Sequence, residues 1–135
     1  MKSSKSARKD LYYTKDDEWI DFHGSIAYAG ICSLKLAGFK QIQKITFSKS
    51  SGFRKKGEIV AIIKYKDFKV SAHMPVDGKV LEVNEKLVNG NPNILLDCAE
   101  SSGWIILIAP SMPHERTDLL LPKQYQMNGK GKYAK

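Results

Sequence analysis

Short apolar runs rich in β-branched residues follow one another along the chain, separated by Gly, Pro, Asn and Asp. The runs fall at residues 19–22, 25–29, 42–47, 59–65, 69–74, 78–83 and 104–108. Runs of this length, bounded by turn residues, mark strands rather than βαβ units. The pattern predicts a mainly β fold, an all-β barrel or sandwich. His23-Gly24 joins two runs as a hairpin, with Gly24 at positive φ. Lys56-Gly57-Glu58 introduces the run at 59–65, and Asp77-Gly78 makes a tight turn before 78–83. Asn89-Gly90-Asn91-Pro92 is dense in breakers and predicts a surface loop. Helix is confined to two places. About two turns are predicted at 33–39, with Ser33 as N-cap. A second short helix begins near Pro122, where proline suits the first turn, and includes Gln124 and Tyr125.

The runs at 59–65 and 69–74 flank Lys66-Asp67-Phe68, and this hairpin is the candidate working element. A tip of this kind holds its central side chain clear of the barrel. A swinging-arm carrier needs that geometry, because the carried group has to visit several enzymes from one attachment point.

Composition narrows the class. A chain of 135 residues suits one domain, and 42% hydrophobic residues are enough for a core. No apolar stretch reaches the ~20 residues of a membrane span. The first ten residues are charged and lack the apolar segment of a secretory signal, so the expected location is cytoplasmic. Cys32 and Cys98 lie far apart without CxxC or Cys/His clustering, which supports neither a disulfide framework nor a zinc site. His23, His73 and His114 fall in a turn, a strand and a late loop, a spacing that fits no metal site and no catalytic dyad. No metal and no enzymatic activity are expected.

The net charge of +8 is concentrated at the ends. Lys2, Lys5, Arg8 and Lys9 against Asp10 give +3, and Lys130, Lys132 and Lys135 give another +3, leaving +2 for the body. Residues 1–10 and 128–135 read as basic flexible tails around a domain at 11–127. Nucleic-acid binding by such tails is the lesser reading.

The ordered motifs of residues 12–125 resemble the glycine cleavage H-protein family. Tyr13-Thr14-Lys15 through Glu18-Trp19-Ile20 is similar to that family's Y-T-x-x-H-E-W-[VI]. Ala29-Gly30-Ile31 resembles its x-G-I-T segment, and Lys56-Gly57-Glu58 its K-G-E before the lipoyl hairpin. Pro75-Val76-Asp77-Gly78 resembles P-V-S-G. Glu82-Val83-Asn84-Glu85 with Leu87-Val88 and Asn91-Pro92 resembles E-V-N-x-x-L-V-x-x-N-P, and Gly103-Trp104-Ile105 the closing G-W-[LI]. The resemblance implies a barrel-sandwich hybrid of the lipoyl/biotinyl-like hammerhead type, with Trp19 and Trp104 in the core. It also implies a non-enzymatic shuttle, whose lipoyl-lysine carries an aminomethyl group from the decarboxylase to the aminomethyltransferase and then meets the dihydrolipoamide dehydrogenase.

In such hairpins the modified lysine lies eight residues before the proline of P-V-x-G, which places Asp67 at that position. Lipoate is joined through an amide to a primary amine, and an aspartate offers none. Other positions depart as well. Phe68-Lys69 replaces small residues, Lys64 replaces an acid, Phe39-Lys40-Gln41 stands for L-G-D, and Asp17 stands for the histidine of H-E-W. The expected function is therefore a binding or scaffold module without cofactor. Its partners would be proteins, lipoyl-dependent enzymes or glycine cleavage components among them. The alternative is a lipoyl carrier modified at Lys66 or Lys69, although a one-residue shift turns Lys66 to the other strand face.

Lys64, Lys66 and Lys69 around Asp67 form either a basic knob for a phosphate or an acidic partner, or a solvated, edge-guarding surface. Phe68 is either an exposed contact anchor or folded back on the barrel. Cys32, at the start of the first predicted helix, is either a thiol activated by the helix dipole or a small buried side chain.

Overall fold

The structure, a computed structural model, describes residues 11–48, 51–113 and 115–127. The two basic tails and His114 lie outside the described residues. Along the chain run β1 (Tyr12–Tyr13), β2 (Glu18–His23), β3 (Ile26–Ile31), β4 (Lys44–Phe47), β5 (Gly52–Arg54), β6 (Ile59–Tyr65), β7 (Phe68–His73), β8 (Gly78–Val83) and β9 (Ile106–Pro110). Two short α-helices, α1 (Ile94–Asp97) and α2 (Pro122–Met127), complete it. Six strands form one antiparallel sheet in the order β1-β2-β3-β9-β8-β5, and three form a second in the order β4-β6-β7.

Strand alternation explains how the sheets meet. Ile20, Ala27, Ala29 and Ile108 from the larger sheet pack against Ile63, Ala61 and Ala72 from the smaller. β2 is buried on both faces. Ile20 enters the main core, while its neighbour Trp19 points the other way into a second cluster with Leu11, Cys32 and Tyr125 of α2. The Trp19 indole is satisfied twice, donating from Nε1 to the carbonyls of Ile31 (3.1 Å) and Ala99 (2.9 Å). It lies so close to Gly30 that a Cβ there would come within 2.9 Å of the ring.

The β architecture follows the apolar runs, and Gly24 takes φ 68° in the β2–β3 turn. Several boundaries differ. β1 and β5, of two and three residues, carry too few positions to alternate visibly. Residues 33–39 do not make two helical turns: a single 3₁₀ turn spans Ser33–Leu36, preceded by Cys32 and not capped by Ser33. Ala37 at ψ 132° and Gly38 at φ 94° turn the chain away. Within the breaker-rich stretch, Lys86–Gly90 winds as a π-helical turn, and α1 follows it. α2 begins at Pro122, as expected. Trp19 is fully buried in the second cluster, and Trp104 packs on the same cluster half-buried, against Tyr28 (centroids 5.0 Å apart).

Gly78 is needed for space, since a Cβ would sit 2.7 Å from the Ala109 carbonyl oxygen on the paired strand β9. Overpacking against backbone costs about 1–3 kcal/mol. Gly78→Ala is therefore expected to lower the unfolding free energy by that much, read as a lower urea midpoint at unchanged slope.

Candidate functional site at the hairpin tip

β6 and β7 pair through Tyr65↔Phe68, so the tip is a two-residue turn of Lys66 and Asp67. The three-residue tip expected from sequence is shorter by Phe68, which already belongs to β7. Lys66 takes φ 55°, and its amide donates to Gln43 Oε1 at 2.7 Å, which ties the turn to the segment before β4. Its ammonium lies over the Tyr65 ring, 5.4 Å from the centroid. Asp67 is exposed, and no side-chain partner holds its carboxylate among the described residues.

The hairpin has two chemically different faces. Tyr65 and Phe68 extend the inward row of Ile63 and Val70 beyond the barrel. Phe68 stacks with Tyr65 (6.3 Å, 14° between planes), and Phe39 closes the group at 5.9 Å from Tyr65 and 6.0 Å from Phe68. Phe68 thus leans on the barrel and still shows 54% of its surface to solvent. On the other face Lys44, Lys64 and Lys69 stand directly opposite one another across β4, β6 and β7. All three are exposed and none has an ion-pair partner among the described residues. Like charges placed directly opposite oppose pairing, on a scale of roughly 0.2–1 kcal/mol per cross-strand pair.

At the base of the hairpin lies a polar cluster that sequence spacing did not reveal. Glu18 of β2 is buried, and its Oε2 accepts from Lys35 Nζ at 2.7 Å and from the His73 backbone amide at 2.9 Å. His73 Nδ1 faces the same oxygen at 2.8 Å. Glu18 and His73 are separated by 55 positions, so only the fold brings them together. Asp16, Glu18 and His73 offer ligand atoms within 4.8 Å of one another. A cation there would compete with the Lys35 ammonium, which already sits on the same Glu18 oxygen. His23 instead pairs with Asp21 at 2.9 Å.

Cys32 does not sit at an activating helix end. It is 1% exposed, and burial pushes its thiol well above the ordinary range, with the Glu100 and Asp17 carboxylates acting in the same direction. Tyr125, stacked on Tyr13 at 4.4 Å, closes over it and donates from its hydroxyl to Asp17 Oδ1 at 3.0 Å. Burial likewise raises the Tyr125 phenol. Cys98 is exposed, and both thiols are free.

Two packed antiparallel sheets with an exposed β-hairpin tip define a barrel-sandwich hybrid, the architecture of a lipoyl-type carrier scaffold. The chain belongs to the glycine cleavage H-protein family, whose model matches residues 11–131. A probable glycine cleavage system H protein of Aeropyrum pernix is 34% identical over 118 residues, covering 87% of this chain and 82% of that protein. The glycine cleavage system H protein of Alkaliphilus oremlandii is 33% identical over 115 residues, covering 85% and 89%. The crystal structure of a glycine cleavage system H protein from Mycobacterium marinum has a similar fold, with a TM-score of 0.75 at 22% identity over 90% of this chain and 98% of that one.

The thiol environments predict a reactivity order. A protonated, buried thiol is a poor nucleophile and an exposed one is not. Iodoacetamide at mildly alkaline pH is expected to alkylate Cys98 in the folded protein, while Cys32 reacts only after denaturation; peptide mass mapping reads the difference.

Proposed function

We propose that this chain is a non-enzymatic H-protein-like binding module that works in the cytoplasm without a lipoyl arm. The observation that carries the reading is the tip. Counted back from Pro75, the attachment position falls on Asp67, and Asp67 occupies the turn with its carboxylate exposed. A carboxylate cannot form the amide through which lipoate is attached. The family's protein-recognition scaffold remains around it, and Phe68, half exposed beside Tyr65 and Phe39, is the kind of aromatic that anchors a protein contact. Lipoyl-dependent enzymes and glycine cleavage components are the partners such a scaffold would meet.

One observation favours a second reading. Lys66 shares the two-residue turn with Asp67 and is equally exposed, so a primary amine stands one position from the usual site. A ligase tolerant of that shift would make the chain a lipoyl carrier, modified at Lys66 or, further along β7, at Lys69.

Co-expression with a lipoyl ligase and lipoate, followed by intact-mass measurement and peptide mapping, separates the two. The wild-type chain is expected to stay unmodified while Asp67→Lys gains one lipoyl group on the new lysine. A lipoyl increment on Lys66 or Lys69 of the wild-type chain would overturn the binding-module reading.

A further inference from the structure

We propose that the outer face of the β4–β6–β7 sheet docks an acidic α-helical segment of a partner protein, through the row Lys44, Lys64 and Lys69. The inference rests on the binding-module reading and names the chemistry of the partner.

Edge protection does not account for the row. Lysines guard exposed strand edges, and Lys44 and Lys69 do stand on the edge strands β4 and β7. Lys64, however, is on the central strand β6, where there is no edge to guard and where it faces a like charge on either side. The arrangement works against sheet pairing unless something anionic covers it. General basicity does not account for it either, because the body carries a net charge of only +2. Elsewhere Lys35 and Lys56 are each paired with a carboxylate, of Glu18 and Asp118. Among the described residues the row is a local concentration of positive charge with no ion-pair partner.

Spacing selects the occupant. Neighbouring strands lie about 4.8 Å apart, so the ammonium stems rise from the sheet at steps of about 5 Å along a line across the strands. Carboxylates at i, i+3/i+4 and i+7 of an α-helix repeat on one face at about 5–6 Å. A helix laid across the three strands would place one carboxylate over each lysine in turn. The next row on this face, Thr46, Ile62 and Ser71, is mixed and uncharged, and would lie beside the helix. Single-stranded nucleic acid is a poorer match, because it is gripped by aromatic side chains stacking on bases. The aromatics of this hairpin, Phe39, Tyr65 and Phe68, belong to the opposite side.

The test is fluorescence anisotropy with the full-length chain produced without added lipoate, its intact mass checked on the same preparation. That mass reports on lipoylation separately from binding, so a failure of the binding-module reading is not confused with a failure of the docking surface. The probe is a labelled alanine-rich peptide of about 20 residues, long enough to hold helix, with glutamates along one face. A second peptide has the same composition with its glutamates spread around the helix. The one-faced peptide is expected to bind more tightly, and its affinity to fall with salt. Lys44→Gln/Lys64→Gln/Lys69→Gln should weaken it by about tenfold or more, and Lys64→Gln alone by part of that. Lys130→Gln/Lys132→Gln/Lys135→Gln should leave it unchanged. The thermal midpoint of the sheet triple variant should equal or exceed that of the wild type, because like-charge opposition is relieved. Equal binding of the two peptides would overturn the proposal. So would full affinity in the sheet triple variant, loss in the tail variant, or tighter binding to a single-stranded oligonucleotide or to vesicles of anionic lipid.

Discussion

A buried carboxylate has to be satisfied, and the satisfaction of Glu18 fixes how the hairpin meets the barrel. The side chain is 2% exposed on β2 of the larger sheet. Leaving such a group unpaired would cost several kcal/mol. Its donors come from two other places: Lys35 of the 3₁₀ turn, and the amide and imidazole of His73 at the end of β7 in the smaller sheet. One oxygen therefore ties the last residue of the hairpin strand to the opposite sheet. Packing of Ile63, Ala61 and Ala72 against the larger sheet supplies most of the attraction and, with the two-residue turn, already specifies the register of the hairpin. The charged hydrogen bonds reinforce it, since a slip along β7 would also strand the carboxylate.

With its base fixed in this way, the hairpin can project a turn without losing register. β6 and β7 stay paired to the last residues before the tip, Tyr65 and Phe68. The period-2 rule then sorts every side chain near the tip. The aromatics fall on the inward side, and because the barrel has ended there they gather on Phe39 rather than in the core. The lysines fall outward, in line with Lys44. The turn residues Lys66 and Asp67 belong to neither face. A single tip thus offers an aromatic side, a cationic side and, between them, an exposed carboxylate with no side-chain partner among the described residues.

Much of this was legible in the sequence. β6, β8 and the β2–β3 turn fall close to where apolar runs and turn residues put them, because half-buried strands of six or seven residues carry enough alternation to be seen. The site residues Asp67, Lys64, Lys66, Phe68 and Lys69 are local to one hairpin, so adjacency in sequence was enough to gather them. What escaped was non-local or brief. Lys44 joins the lysine row only through the pairing of β4 with β6, and Phe39 joins the aromatics only through the loop after the 3₁₀ turn. The Glu18–His73 contact needs both sheets assembled. Of the two readings of Cys32 the buried side chain holds: Ser33 suggests a capped helix after it, whereas Tyr125, far along the chain, covers the thiol and burial raises its pKa.

The motifs that carry the family resemblance have, in this fold, reasons of packing rather than of transfer chemistry. Trp19 and Gly30 are mutually exclusive with anything larger, since the indole occupies the space a Cβ would need. Asp77 accepts from the Lys56 amide at 2.7 Å, which joins the K-G-E and P-V-D-G segments on either side of the hairpin. Asn84 donates to the carbonyls of Ser102 and Trp104 at 3.1 and 2.8 Å and accepts from the Lys86 amide, binding the E-V-N segment to the closing G-W-I. Gly103 has the Cys98 carbonyl oxygen 2.7 Å from where a Cβ would go. Each of these contacts holds the barrel whether or not anything is attached to the tip. The turn residues Lys66 and Asp67 are exposed, and the Lys66 backbone amide is tied to Gln43, a contact that does not depend on the side chain at position 67. Membership of the family, read from these motifs, therefore establishes the scaffold, and the chemistry at the hairpin tip depends on the residues that stand there.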